Sequence, residues 1–178
     1  MKRVRWLSGL FLAGMLCVML GTIGAQVAQA QRPIYILDLQ CLVTRGMRHN
    51  SSDGPLFYLY KGPTDISIGR QLHTSMMRVR EAGWTCKLPG GRASLRLEYG
   101  VDDQSEILPP KIEVYVDGNQ VASQVGKSGR INTMFADISN GRSLSLDISC
   151  STAKNCGDRN YHFFKFQIEP GASSPGGR

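Results

Sequence analysis

Little in this 178-residue sequence favours helix. No segment longer than about two turns holds apolar residues at helical spacing, which argues against an architecture built on helices. The best helical candidate is residues 71–82, with Leu72, Met76 and Val79 on one face, and its neighbours suit a strand as well. Histidine is scarce: His49, His73 and His162 are the three present, and none stands in a recognisable catalytic motif. The glycine patterns of nucleotide-binding loops and the Gly-x-Ser-x-Gly of serine hydrolases are absent. No nucleophile–base–orienter set or paired carboxylates can be assembled, so the expectation is a non-catalytic protein. Cysteine never occurs as Cys-x-x-Cys, and the nearest histidine, His162, sits in an apolar strand, which excludes a zinc site on spacing. Nor do the basic residues cluster. Arg70, Arg78, Arg80, Arg92 and Arg96 are spread over strand-like segments without interleaved aromatics, which reads as no nucleic-acid surface.

The two ends of the chain have a composition of their own. Lys2, Arg3 and Arg5 precede an apolar run from Trp6 to about Ile23, and Ala28-Gln29-Ala30 fits a small-x-small cleavage site. Residues 1–30 therefore read as a secretory signal peptide cut near Gln31, leaving no membrane span after cleavage and a secreted, periplasmic or cell-envelope protein. Gly14-Met15-Leu16 before Cys17 is a poor lipobox, which speaks against a lipoprotein. The remainder carries eighteen basic and fourteen acidic residues, a net charge of +4, too modest to imply a polyanion partner. Its length suits one domain, residues 31–169, followed by a Gly/Ser/Pro-rich tail, 170–178, expected to be disordered.

Four cysteines remain after the cut, an even set in an exported chain, which points to disulfides. Three pairings are possible in principle. Cys150 and Cys156 bracket a short loop that folds back with ease, so this bridge is expected, and by elimination Cys41 with Cys86. The alternation places Cys150 inward beside Ile148.

Short β-rich runs recur at 34–39, 56–60, 76–80, 94–99, 111–116, 119–125, 132–137, 143–150 and 161–169. Clusters such as Lys61-Gly62-Pro63, Pro89-Gly90-Gly91 and Ser139-Asn140-Gly141 separate them, at the spacing of an all-β sandwich or barrel. In Leu95-Arg96-Leu97-Glu98-Tyr99 and Ile112-Glu113-Val114-Tyr115-Val116, apolar and polar residues alternate with the period of a half-buried strand. Asp117-Gly118 then supplies a two-residue hairpin loop. The prediction is an all-β, antiparallel two-sheet β-sandwich. Its core should comprise Leu95, Leu97, Tyr99, Ile112, Val114, Val116, Leu144, Leu146, Ile148, Phe164, Phe166 and Ile168.

A strand, Gly100-Val101-Asp102-Asp103, a few residues, and then a strand ending in Asp117-Gly118 resemble the NPCBM family of carbohydrate-binding modules. The resemblance extends to Tyr35-Ile36-Leu37-Asp38-Leu39, to Ile66-Ser67-Ile68-Gly69 with Leu72-His73-Thr74-Ser75, and to Leu144-Ser145-Leu146-Asp147-Ile148 with Asp158. It implies a galactose-binding-like jelly roll and a carbohydrate ligand, a glycan or a cell-wall or extracellular polysaccharide. Where that family usually carries a late Trp, this chain has Asn160-Tyr161-His162-Phe163-Phe164, a departure that bears on the ligand surface rather than the fold.

Galactose-binding-like modules often hold a structural calcium ion. The acidic corner therefore makes Asp102 and Asp103, with Asp158 nearby, the expected ligands of Ca2+, a hard cation that takes oxygen donors; the competing reading is a solvated acidic turn. Sugar recognition needs an apolar platform and a few planar polar groups. Tyr115, outward between Val114 and Val116, is the foremost platform, with Tyr161, Trp84, Tyr58 and Tyr60 as further candidates, and Trp84 beside Cys86 reads equally as a core residue packing on a disulfide. Asp158, Arg159 and Asn160 form a polar loop able to meet hydroxyls. A rival function is a protein-interaction or structural domain of the envelope, with a protein partner in place of the sugar.

Overall fold

A computed structural model describes residues 32–45, 59–105, 108–152 and 160–171. The chain divides into two units, Met1–Ala30 and Gln31–Arg178, and all described residues belong to the second. Eleven strands run in order along these residues. They are β1 (Ile34–Tyr35), β2 (Cys41–Arg45), β3 (Leu59–Ile68), β4 (Gln71–Val79), β5 (Ala82–Lys87), β6 (Ala93–Gly100), β7 (Pro110–Val116), β8 (Asn119–Val125), β9 (Asn132–Asp137), β10 (Ser143–Cys150) and β11 (Tyr161–Pro170). A single 3-10 turn, Ile36–Asp38, follows β1. The strands form two antiparallel sheets. One has the order β3-β4-β11-β6-β9 with β1 also on β11, and the other is β2-β5-β10-β7-β8. The expected two-sheet antiparallel sandwich is the observed architecture.

Alternation along the strands dictates the core. β6 buries Leu95, Leu97 and Tyr99, β7 buries Ile112 and Val114, and β10 buries Leu144, Leu146 and Ile148, while their neighbours face out. Rings from both sheets meet between the layers. Tyr99 lies 5.9 Å from Phe163, Phe163 lies 5.3 Å from Phe166, and Phe166 reaches across to Trp84 of the other sheet at 5.6 Å. Contacts of this kind contribute about 0.5–1.5 kcal/mol each beyond the area they bury. Ile36, fully buried, joins the same cluster from the 3-10 turn.

Four local expectations are corrected. Phe164 is half-buried rather than core, because β11 shifts register between Phe163 and Lys165; the bulge turns Phe163 inward and leaves Phe164 edge-on to His73 at 5.8 Å. Val116, at the end of β7, is also only half-buried. The helical candidate 71–82 is strand β4 followed by the start of β5, since Met77 and Val79 alternate with outward residues against β11. Lys61-Gly62-Pro63 does not end a strand either. It is a register shift within β3, an edge strand, where a proline without an N–H is tolerated.

The Asp117-Gly118 loop is as expected: both residues have positive φ, 49° and 84°, as a type I′ hairpin requires. Cys41 and Cys86 stand directly opposite one another on β2 and β5 and form a disulfide with Cα atoms 4.0 Å apart. Cys150 is also disulfide-bonded, and it is half-buried rather than enclosed; Cys156, its expected partner, lies outside the described residues.

Candidate binding surface

The outer face of the five-stranded sheet is built by register. Tyr115 of β7 pairs with Ser145 of β10 and Gln120 of β8, and Ser145 pairs with Thr85 of β5, so one row crosses four strands. Beside it run Glu113 with Asp147 and Ser123, then Lys111 with Ser149. Paired residues share a face, and the inward alternates of these strands fill the core, which puts this polar set outside. A register shift between Val114 and Tyr115 leaves Val121 of β8 as the extra residue, the kind of bulge that re-aims a side chain.

Hydrogen bonds hold this surface in place. Thr85 Oγ1 and Ser145 Oγ are 2.8 Å apart, and Lys111 Nζ donates to Glu113 Oε1 at 2.8 Å. Arg45 lies over Gly83, pairs with Asp147 and donates to the Ile148 carbonyl at 2.9 Å. Glu113 keeps the Lys111 ammonium charged to higher pH than usual. Burial raises the Asp147 carboxyl above its ordinary range despite the opposing pull of Arg45. The result is one half-buried phenol ring ringed by hydroxyls, an amide, carboxylates and an ammonium. That combination can stack an apolar face while bonding several hydroxyls.

Tyr115 alone of the three platform candidates lies on a surface. Trp84 is 5% exposed, packed on Phe166, and Tyr161 is 1% exposed. Both belong to the inter-sheet core, so neither ring is open to a ligand. Burial pushes the Tyr161 hydroxyl up to about 12, with Glu81 adding to the shift. Asn160, half-buried, precedes β11 in the other sheet, so the structure does not bring it together with Tyr115. Asp158, Arg159 and Tyr58 lie outside the described residues.

The acidic corner is held by backbone donors. Asp103 accepts hydrogen bonds from the Gly69 N–H at 2.8 Å, the Arg70 N–H at 2.8 Å and Ser67 Oγ at 2.7 Å, and these hold its carboxyl below the usual range, Arg70 N–H foremost. Asp102 Oδ1 accepts from the Gln104 N–H at 3.1 Å. Among the described residues no group of three or more His, Cys, Asp or Glu surrounds this corner, and Asp158, the third expected ligand, lies outside them. Asp103 is a clip that ties the β3–β4 hairpin tip to the loop after β6.

One further polar pair escaped sequence reasoning, because strand pairing alone creates it. Ser75 Oγ lies 3.2 Å from His162 Nδ1, both groups being buried. The Ser75 hydroxyl also lies 3.2 Å from the Thr64 carbonyl oxygen, so one hydroxyl is shared between that carbonyl and the imidazole.

No family model matches this chain, and no curated protein matches it. Solved structures do. The M60 catalytic domain with the CBM51-1 and CBM51-2 domains of ZmpB from Clostridium perfringens superposes with a TM-score of 0.56 at 16% identity, over 80% of this chain. This chain spans only 15% of that protein. The CBM51 of a GH95 protein from Clostridium perfringens, in complex with methyl-galactose, superposes with a TM-score of 0.51 at 14% identity, over 77% of this chain and 99% of that one. The tandem CBM51 modules of a family 98 glycoside hydrolase from Streptococcus pneumoniae superpose with a TM-score of 0.53 at 12% identity, over 78% of this chain and 47% of that one. The fold of this chain is the galactose-binding-like β-sandwich that these carbohydrate-binding modules share.

Proposed function

We propose that this chain is a secreted, non-catalytic carbohydrate-binding module of NPCBM-like type that recognises a glycan or a cell-wall or extracellular polysaccharide. The observation that carries this reading is the fit of one domain to one whole module: the superposition on the methyl-galactose-bound CBM51 spans 99% of that chain. The outer face around Tyr115 supplies the chemistry, an aromatic surface beside Ser145, Glu113 and Gln120. The cross-strand disulfide suits an oxidising compartment outside the cytosol.

A glycan-array screen of the oxidised protein tests the proposal. Saturable binding to a galactose-like or wall-derived glycan, reduced at least tenfold by Tyr115→Ala with the fold intact, is the expected result; about 1–3 kcal/mol of stacking and hydroxyl contacts is at stake. Silence across the array would favour the protein-interaction reading instead. Support for that alternative comes from the burial of Trp84 and Tyr161, which leaves fewer rings for sugar, and from exposed Leu42, Leu72 and Phe135.

A further inference from the structure

We infer that the cleft between β8 and β9 is a second binding site, for a saccharide bearing an anionic group. The chain leaves β8, an edge of the five-stranded sheet, and enters β9, an edge of the six-stranded sheet, through residues 126–131. Beside this connection lies a solvent-open cleft of about 230 Å3. Lys127 and Arg130 line it from the connecting turn, Gln124 and Thr133 from the strands, and Val125 and Ile131 supply its apolar part.

Three features distinguish this cleft from an ordinary solvated turn. First, its lining includes two cations and no carboxylate, and among the described residues neither Lys127 nor Arg130 takes part in an ion pair. Second, the turn is held rigidly. Asn132, 6% exposed, accepts from the Lys127 N–H at 2.8 Å and donates to the carbonyls of Lys127 and Arg130 at 2.9 and 3.2 Å. Third, its base is packed on the core. A Cβ at Gly126 would stand 3.0 Å from Tyr99 Cε2 and 3.3 Å from Pro109, so a side chain there would have to push the core aside by a few tenths of an ångström. A rigid turn spends little entropy on binding.

An arginine fork and a lysine point charge suit a carboxylate, sulfate or phosphate, while the Gln124 amide and Thr133 hydroxyl suit neighbouring sugar hydroxyls. The volume is below the roughly 300–1,000 Å3 of a pocket for a drug-sized ligand, which limits the occupant to a single ring. The modest overall charge is no obstacle, because one anionic group needs only a local cation pair. The saccharide part of this inference rests on the module reading above; the anion part rests on the cleft alone.

Amide shifts of the 15N-labelled protein, followed through titrations with galacturonic acid, galactose 6-sulfate, galactose and inorganic sulfate, test it. Both acidic sugars should saturably shift amides of residues 124–133, galactose binding there roughly tenfold more weakly or not at all. Lys127→Gln combined with Arg130→Gln, both at exposed positions, should weaken the acidic sugars by roughly tenfold or more and leave the spectrum otherwise native. No saturable shift with either acidic sugar, or unchanged affinity in the double variant, overturns the inference. Inorganic sulfate binding as tightly as galactose 6-sulfate overturns its saccharide part. Neutral-glycan binding lost in Tyr115→Ala alongside a silent cleft overturns this inference and leaves the module reading intact; acidic-sugar binding in the cleft of a protein silent to neutral glycans upholds this inference and overturns only the role of the Tyr115 face.

Discussion

Alternation aims Tyr115 outward, whereas Tyr161 and Trp84 are aromatic candidates that burial turns into core residues with different energetics. Trp84 and Phe166 bridge the sheets, so Trp84→Ala should cost about 3–5 kcal/mol in urea unfolding and Trp84→Phe much less. A Trp84→Ala protein that kept its midpoint would place the indole outside the core. Tyr161 buries a hydroxyl with no hydrogen-bond partner among the described residues. Tyr161→Phe removes that desolvation penalty without breaking a bond, so stability should hold or rise by about 1 kcal/mol; a loss of that size would reveal an unseen partner. Asp103 acts at this scale as an acceptor for two backbone amides. In Asp103→Ala the Gly69 and Arg70 amides lose their acceptor, and their hydrogen exchange should accelerate while that of β6 and β7 amides does not.

At the scale of elements, the strands that sequence located best are those with clean alternation and chemical punctuation. β8, β9 and β10 begin and end where the pattern put them, and the β7–β8 loop uses Asp117-Gly118 as its composition demanded. β2 and β5 were missed. Gly83 interrupts β5, and β2 is a five-residue edge strand whose place is given by β5 and by the Cys41–Cys86 bond. That disulfide closes a loop with a sequence separation of 45, which in the chain-entropy account constrains the unfolded state by about 4 kcal/mol. Cys41→Ser with Cys86→Ser should therefore lower unfolding stability by about 2–4 kcal/mol, with β2 amides exchanging first. A cost below about 0.5 kcal/mol would show that β5 alone holds this edge. β11 could not be read correctly from its pattern, since a bulge at Phe163–Lys165 exchanges the inward residue in mid-strand.

For the whole molecule, acid response is the property that depends on packing everywhere at once. Burial pushes the His162 imidazole below its usual pKa, with Asp102 pulling upward and Arg78 downward. In the unfolded chain the same group titrates near its ordinary 6.5, so between that value and its lower folded value the unfolded state binds more protons. Stability is thus full above about pH 6.5 and falls as pH drops below it, by up to about 1.4 kcal/mol per pH unit until the folded imidazole itself protonates. His162→Gln should flatten the stability profile between pH 6.5 and 5 without moving the loss at pH below 4, where Asp103, Asp117 and Asp137, all with lowered carboxyls, begin to protonate. An unchanged slope in His162→Gln would assign the effect elsewhere.

His162 also marks the line between the two sources of information. Period-two alternation and turn chemistry are local properties of the chain, and they sufficed for the all-β class, most strand positions, the β7–β8 hairpin and the outward aim of Tyr115. Which sheet a strand joins, which cysteines meet across β2 and β5, which backbone amides Asp103 meets, and whether Trp84 and Tyr161 face solvent or the core all depend on contacts between distant segments. The cleft of Lys127 and Arg130 belongs to the second kind: its sequence reads only as a glycine-flanked turn, and it becomes a cavity because β8 and β9 are edges of opposite sheets.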